Sequence, residues 1–256
     1  MKAINDNINI EAQREMPNEG AGVRSASVLL SAPASEFAQR SLGWYRARLG
    51  YFTGSRVGVL TGRKRGSTDF NDTAMAYVYE VAATRYMNNA VVEDDDLFTE
   101  YLNVVNFETR AMRFGVEQEA AARRLYAAVN KVTVTECGSV ESADVEYFSS
   151  SPDGIVTDGD GAITGCIEIK CPKQATYMKY RAEIRDNATL SEANKEYYYQ
   201  VQSHLMVTGA EWCDFIAYCP YQMRPLHVVR ITPDSAAFEA IRENVSKANA
   251  IIEDLK

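Results

Sequence analysis

Two short stretches decide how this chain reads: Ser151-Pro152-Asp153-Gly154, and then Glu168-Ile169-Lys170-Cys171-Pro172. Side chains along a strand alternate faces, so Glu168 and Lys170 share one face. Ile167, Ile169 and Cys171 share the other and are expected to enter a core. Asp153 stands just before Ile155-Val156, a β-prone pair expected to join residues 162–170 as a hairpin. Asp158-Gly159-Asp160-Gly161 has the composition of the connecting turn. The pattern therefore gathers two carboxylates and an ammonium on one side of a sheet. That set suits a divalent-metal site that cleaves phosphodiesters, and it equally suits a salt-bridged hairpin on an ordinary enzyme surface.

The totals bound the choice. At 256 residues the chain has room for one large core or two modest domains. A formal net charge of −8 argues against a protein that coats nucleic acid with its whole surface. It leaves room for a local basic channel, because affinity follows the local field. The cysteines (Cys137, Cys166, Cys171, Cys213 and Cys219) are odd in number and lack zinc-like pairing, which reads as reduced core residues of a cytoplasmic protein. His204 and His227 are the only histidines, so a zinc hydrolase built on His ligands is nearly excluded. Residues 1–20 are polar and mixed in charge, unlike a secretory signal. No apolar run approaches the roughly 20 residues of a membrane span, so no membrane partner is expected.

The basic residues are segregated. From Phe37 to Thr68 there is no acidic side chain, while Arg40, Arg46, Arg48, Arg56, Arg63, Lys64 and Arg65 all fall there. Residues 1–34 carry little pattern and read as an arm. A helix is expected over 35–50, closed by Gly50, and Thr53-Gly54-Ser55 reads as the opening of a second helix carrying Val57, Val59 and Leu60. Arg48 beside that turn offers a guanidinium, hydroxyls and helix N–H groups to a terminal phosphate. The loop Gly62-Arg63-Lys64-Arg65-Gly66-Ser67 reads as mobile and suited to phosphate contact, or simply as solvated.

Further along, a helix is expected over 73–88 and a solvated acidic loop at 93–96. The longest helical pattern runs over 100–130, with Phe107, Ala111, Phe114, Gly115, Ala122, Leu125 and Val129 as its inner stripe. Glu119 falls on or beside that stripe, where a carboxylate needs a cation. Arg123 at i+4 is the ordinary partner and a metal the alternative. Gly115 costs roughly 1 kcal/mol in a helix interior, which predicts close approach by another group. Strands are expected at 131–137, 145–148, 154–157, 162–171, 215–219 and 226–231, and helices at 175–185, 192–208 and 233–255. Gln200 lies on the buried face of the 192–208 helix, four residues before His204. On pattern alone a structural hydrogen bond is the simpler role for it. The order fits one α/β domain with a mixed sheet flanked by helices and an N-terminal helical portion.

Taken together, these blocks resemble the phage lambda-type alkaline exonucleases, grouped with viral recombinases in the PD-(D/E)xK nuclease superfamily. The resemblance runs from about Ser41 to Ile231. It rests on Trp44 and Arg48-Leu49-Gly50, on Thr53-Gly54-Ser55, and on Phe114-Gly115 with Glu119. It rests further on Ser151 to Gly154 with Glu168 to Pro172, and on Gln200-Val201-Gln202. The loop between Asp153 and Glu168 and the segment before Gln200 differ in length from the family pattern, and residues 1–34 are poorly covered. The Asp/Glu-x-Lys pair alone is weak; five blocks in order are specific.

The resemblance implies a restriction-endonuclease-like core in a single nuclease domain over 35–256. In it a basic helical portion (35–90) precedes the catalytic core (about 107–232) and a closing helix (233–255). It implies Mg²⁺, with Mn²⁺ as a substitute, held by Asp153, Glu168, Glu119 and the carbonyl of Ile169. Lys170 would orient or deprotonate the attacking water. Deprotonation requires its pKa to fall from the usual value near 10.4. Gln200 would help place Lys170 or the water. Arg48, with Ser55 and Thr53, would hold a 5′-terminal phosphate, and Arg65 would grip the duplex. The implied activity is processive 5′→3′ digestion of linear double-stranded DNA by a ring-shaped homotrimer. It would release 5′-mononucleotides and leave a 3′ overhang for a single-strand annealing protein. No ATP is implied, since no Gly-rich phosphate loop ending in Lys-Ser or Lys-Thr occurs. A phage or prophage origin is also implied. An endonuclease of the same fold and a non-catalytic DNA-binding protein are the alternatives.

Overall fold

A computed structural model describes residues 38–106 and 109–256. The arm over 1–34, the expected start of the first helix and Phe107 lie outside the described residues. Helix α1, Leu42–Arg46, is capped by the Ser41 hydroxyl, which accepts from the Trp44 N–H at 3.1 Å. The chain turns at Gly50 (φ 76°) into a two-residue strand β1, Phe52–Thr53, then α2, Gly54–Val57, and a 3₁₀ turn. Helix α3, Asp72–Arg85, is capped by Asn71. The expected acidic loop is instead a helix junction: α4, Asn89–Glu93, ends where α5, Asp95–Val105, begins. The Asp94 carboxylate caps α5, and Asp95 and Asp96 occupy its first turn, where acidic side chains meet free N–H groups.

The long pattern over 100–130 is likewise two helices. Thr109 opens α6, Arg110–Asn130, by accepting from the Met112 N–H. The buried stripe of α6 runs through Glu119, Ala122 and Tyr126, whereas Val129 is 65% exposed. A Cβ on Gly115 would meet no atom within 4 Å, so the close approach expected there is absent among the described residues.

Strands β2, Val134–Thr135, β3, Val140–Glu141, and β4, Phe148–Ser150, precede the decisive hairpin. That hairpin forms as expected: β5, Gly154–Thr157, pairs antiparallel with β6, Ile163–Lys170, with Ile155 opposite Cys166. Helices α7, Gln174–Glu183, α8, Asn187–Ala193, and α9, Lys195–Thr208, follow. Strands β7, Trp212–Tyr218, and β8, Leu226–Ile231, and helix α10, Ser235–Glu253, close the chain. The mixed sheet has the order β2-β5-β6-β7-β8, and only β6 and β7 are parallel. A second sheet orders β1-β4-β3, with β1 parallel to β4. The architecture is α/β, a mixed sheet flanked by helices.

The two faces of the main sheet are buried differently. Ile167 and Ile169 of β6 meet Ala122 and Tyr126 of α6, with Val156, Ile216 and Tyr218, in a compact second core. The larger core lies on the other face, where Cys166, Cys213 and Phe215 join Val201 and Leu205 of α9 and Ile241, Val245 and Ile252 of α10. Glu168 therefore sits on the α9 side with almost no exposure, at 2%. Two ladders match there. Residues two apart on a strand are separated by about 6.7 Å, and residues four apart on a helix by about 6 Å. Glu168 and Lys170 can thus face His204 and Gln200 pairwise.

Gly54 fixes how the N-terminal portion meets that face. A Cβ there would lie 2.0 Å from Ser150 Oγ and 2.9 Å from Ser203 Cβ. The Ser150 hydroxyl would have to rotate away, while the backbone-borne Ser203 Cβ cannot. Gly54→Ala should lower stability by about 1–3 kcal/mol, a shift in the urea unfolding midpoint at unchanged slope. An unaltered midpoint would show that α2 can slide without cost.

Candidate active site

Asp153 follows Pro152 at the mouth of the hairpin. Its backbone N–H donates to Ile167 O at 3.0 Å, and its Oδ2 accepts from the Ile169 N–H at 2.6 Å. The carboxylate is thereby folded over the end of β6. Glu168 Oε1 lies 2.6 Å from Lys170 Nζ, and Glu168 Oε2 lies 2.7 Å from His204 Nε2. Lys170 Nζ also donates to Gln200 Oε1 at 3.0 Å and stands 4.5 Å from the centre of the Tyr197 ring. The matched ladders are thus both occupied. Gln200, expected from its place on the helix to make a structural hydrogen bond and from the resemblance to help place Lys170, accepts from Lys170 Nζ.

His204 was not expected to take part. A carboxylate only accepts, so His204 Nε2 donates to Glu168. In the neutral ring Nδ1 then accepts from Ser150 Oγ, 2.8 Å away. Ser150, His204 and Glu168 form a buried relay behind the cleft. The sequence held one signal for it, the i, i+4 spacing of Gln200 and His204 set against Glu168 and Lys170.

These groups open onto a cleft of about 490 Å³. It is lined by Asp153, Glu168, Ile169 and Lys170 from the hairpin, Glu119 and Gly115 from α6, and Gln200 and His204 from α9. Arg40, Trp44, Arg48 and Ser55 line it from the N-terminal portion. Glu119 is 9% exposed; its Oε2 accepts from Arg40 at 2.8 Å and its Oε1 from Arg123 at 2.8 Å. Arg123 is thus its partner as helical spacing suggested, and Arg40 is a second one.

The ionisation of the cleft is polarised. Burial first, then the charges of Glu168 and Glu119, raise the Asp153 carboxyl well above the usual range. Burial alone would raise Glu168 too, but Lys170 and the His204 hydrogen bond outweigh it and bring that carboxyl down to about 2. Burial would lower Lys170, yet Glu168, Tyr197 and Asp153 together raise it. In this state Lys170 is held as an ammonium, a donor able to orient a water or a phosphate oxygen.

Asp153, Glu168, Glu119 and the Ile169 carbonyl offer oxygen donors alone, as a hard divalent cation prefers. Among the described residues, no group of three or more His, Cys, Asp or Glu is already gathered as a metal site. The fit lies in Asp153, a buried carboxyl whose pKa is raised by burial and by the facing Glu168 and Glu119, a crowding of carboxylates that a dication would relieve.

The residues expected at a terminal phosphate divide. Arg48 Nη1 donates to Ser151 Oγ at 3.1 Å, Trp44 Nε1 donates to the same hydroxyl at 3.2 Å, and the guanidinium stacks 4.1 Å over the Trp44 ring. Burial brings the Arg48 pKa down to about 10, partly offset by Tyr77 and Tyr45, and it stays charged at neutral pH. Ser55 reaches the cleft. Thr53 does not; its Oγ1 lies 3.3 Å from Ser55 Oγ, and its N–H donates to the buried Tyr77 hydroxyl. It stands at the N-cap of α2 without a side-chain cap bond. Arg65 is exposed on the 62–68 loop and does not line the cleft. That loop is tied down by an Arg63–Phe70 bridge, by Lys64 N–H to Asp69 O at 2.9 Å, and by Lys247 Nζ to Thr68 O at 2.7 Å.

The profile of the YqaJ-like viral recombinase domain matches residues 43–211. An alkaline exonuclease (LHK-Exo) from Laribacter hongkongensis superposes with a TM-score of 0.63 at 29% identity, over 82% of this chain and 92% of that one. The same enzyme in complex with dAMP gives 0.63 at 28% identity, again over 82% and 92%. A phage-related exonuclease from Haemophilus somnus 129PT gives 0.57 at 16% identity, over 80% and 94%, and so shares the fold. No curated protein matches the chain. Among the described residues no helix is long and apolar enough to cross a membrane.

Proposed function

Since the chain belongs to the YqaJ-like viral recombinase family of the PD-(D/E)xK nuclease superfamily, we propose that it is a metal-dependent deoxyribonuclease. Specifically, it digests linear double-stranded DNA 5′→3′ from phosphorylated ends. The observation that carries the reading is the convergence of Asp153, Glu168, Lys170, Gln200 and Glu119 on one cleft with Arg48 and Ser55. The reading takes residues 35–256 as one nuclease domain, supported by a core that runs from Phe52 to Ile252.

Asp153, Glu168, Glu119 and the Ile169 carbonyl would hold Mg²⁺, or Mn²⁺ in its place. When bound, that cation supplies a Lewis acid at the scissile phosphate. The chain's own groups do the positioning. Lys170, kept charged by Glu168 and steered by Gln200, presents an N–H to the attacking water or a phosphate oxygen. His204 and Ser150 fix the Glu168 carboxylate so that it cannot turn away. Arg48 and Ser55 hold the 5′-terminal phosphate, and Trp44 and Ser151 keep the guanidinium flat against the wall. A terminal phosphate seated there places the first phosphodiester over the carboxylates, which sets direction. Release of 5′-mononucleotides, a 3′ overhang passed to a single-strand annealing protein, and a homotrimeric ring that encloses the duplex complete the proposal.

Digestion of linear and closed circular duplex, each with Mg²⁺ or EDTA, tests the reading. Linear DNA bearing a 5′ label should release it first, circles should persist, and EDTA should stop the reaction. Cut circles would replace the exonuclease with an endonuclease, and Mg²⁺-independent inertness would leave only a DNA-binding protein. Arg48→Ala should reduce the preference for 5′-phosphate over 5′-hydroxyl ends by about 10²-fold, the worth of one charge-assisted phosphate contact in a buried setting. An undiminished preference would move the end pocket elsewhere.

A further inference from the structure

Both Glu119 oxygens are occupied by guanidinium groups, Oε1 by Arg123 and Oε2 by Arg40. A cation that takes one of those oxygens beside Asp153 and Glu168 competes with the guanidinium already on it. The two are unequal. Arg123 lies one turn along the same helix, its side chain is 12% exposed, and it also binds Glu136. Arg40 approaches from outside α6, and its side chain is 42% exposed.

Arg40 is also placed with care. Its backbone is left-handed at φ 72°, a conformation that side-chain-bearing residues adopt at a cost. The turn around it is fastened to the catalytic hairpin. Gln39 Nε2 donates to Pro152 O at 2.9 Å and to Cys137 O at 3.3 Å, and Ser41 caps α1. The carbonyl that Gln39 grips belongs to the residue before Asp153. The turn and the carboxylates are therefore one rigid assembly, with the exposed guanidinium at its open side.

Charge gives the reason for a mobile cation here. Of the cleft carboxylates, Glu168 already holds Lys170, and Glu119 holds both Arg123 and Arg40. A dication brought to Glu119 adds positive charge beside the two guanidinium groups, and an arriving phosphate offsets it. A guanidinium displaced from a carboxylate finds in a phosphate another pair of anionic oxygens that its fork of N–H donors can reach.

We propose that Arg40 is an exchangeable cation of this site. It occupies Glu119 while the metal is absent, and on metal binding it transfers to a non-bridging phosphate oxygen of the bound DNA strand. The proposal rests on the nuclease reading, but its test needs no cleavage. Arg40→Gln and Arg40→Gly are compared with wild type; glycine suits the positive φ and protects folding. Calorimetry with Mn²⁺ and no DNA should give about fivefold or greater tightening in both variants, because the competing cation is gone. Fluorescence anisotropy with a 5′-phosphorylated duplex should show about tenfold weaker binding in Ca²⁺ and unchanged binding in EDTA. Mn²⁺ affinity that is unchanged or weaker would overturn the proposal. So would an equal loss of duplex affinity in Ca²⁺ and EDTA, which marks an ordinary surface cation. A wild type that fails to digest linear DNA while both binding results hold would remove the nuclease reading and leave the exchange standing.

Discussion

Replacing Lys170 with alanine should lower the rate of linear-duplex digestion at saturating Mg²⁺ by about 10³- to 10⁴-fold, with the fold retained. The size follows from what Nζ does. It bonds Glu168 at 2.6 Å and Gln200 at 3.0 Å, and it is the ammonium directed at the open cleft from β6. No neighbour replaces it: Arg123 is held between Glu119 and Glu136, and Arg40 stands on the turn ahead of α1 rather than on β6 beside Gln200. Folding should survive because the Lys170 side chain is 22% exposed and alanine leaves a hydrated gap at the cleft wall. Glu168 keeps His204 as a partner. Arginine should not rescue, since its planar fork cannot reproduce a point donor held between Glu168 and Gln200. The check combines digestion time courses, circular-dichroism melting and DNA binding. Digestion within tenfold of wild type would take Lys170 out of the chemistry.

Asp153→Asn should do two opposite things. It should abolish metal-dependent digestion, by about 10³-fold or more, because it removes a charge from the donor set. It should also stabilise the protein in EDTA, by about 1–2 kcal/mol. An amide oxygen can still accept the Ile169 N–H that Asp153 Oδ2 now accepts. What disappears is a buried negative charge facing Glu168 and Glu119. The sign follows from linkage. The folded-state pKa of Asp153 is raised, so its contribution to stability is full below the ordinary carboxylate range and is lost as pH rises through the raised value. The advantage of asparagine should therefore shrink as pH falls toward about 4. Urea unfolding in EDTA at neutral and acid pH measures it. A variant less stable than wild type at neutral pH would mean that Asp153 has a cationic partner in the metal-free fold.

The decisive hairpin was legible because both of its signals are local. Alternation along β6 put Glu168 and Lys170 on one face, and the Asp158 to Gly161 turn set the pairing. The helices expected over 73–88, 192–208 and 233–255 were legible from their apolar patterns, and the caps at Asn71, Asn194 and Asp234 emerged with the structure, the second of them inside the expected 192–208 span. The misses share a cause. Strand β1 is two residues long and exists only because Phe52 and Thr53 meet Phe148 and Ser149, far along the chain. The junction at Asp94 lay hidden in an acidic run that read as a loop, although acidic residues are what a helix start favours.

At the site, the sequence by itself determined the donor types: three carboxylates, a lysine, a glutamine and a segregated set of arginines. Periodicity also determined which of them shared a strand or a helix face. Apart from the i, i+4 pair of Glu119 and Arg123, only the tertiary structure decided who neutralises whom. The opposed ladders of β6 and α9 brought His204 to Glu168, and a left-handed turn ahead of α1 brought Arg40 to Glu119. Thr53 turned inward to Tyr77, and Arg65 stayed outside. The raised Lys170 pKa arises the same way. Charge pairing falls off over a few ångströms and is set by burial. It therefore depends on which elements meet in space, which local spacing along the chain does not encode.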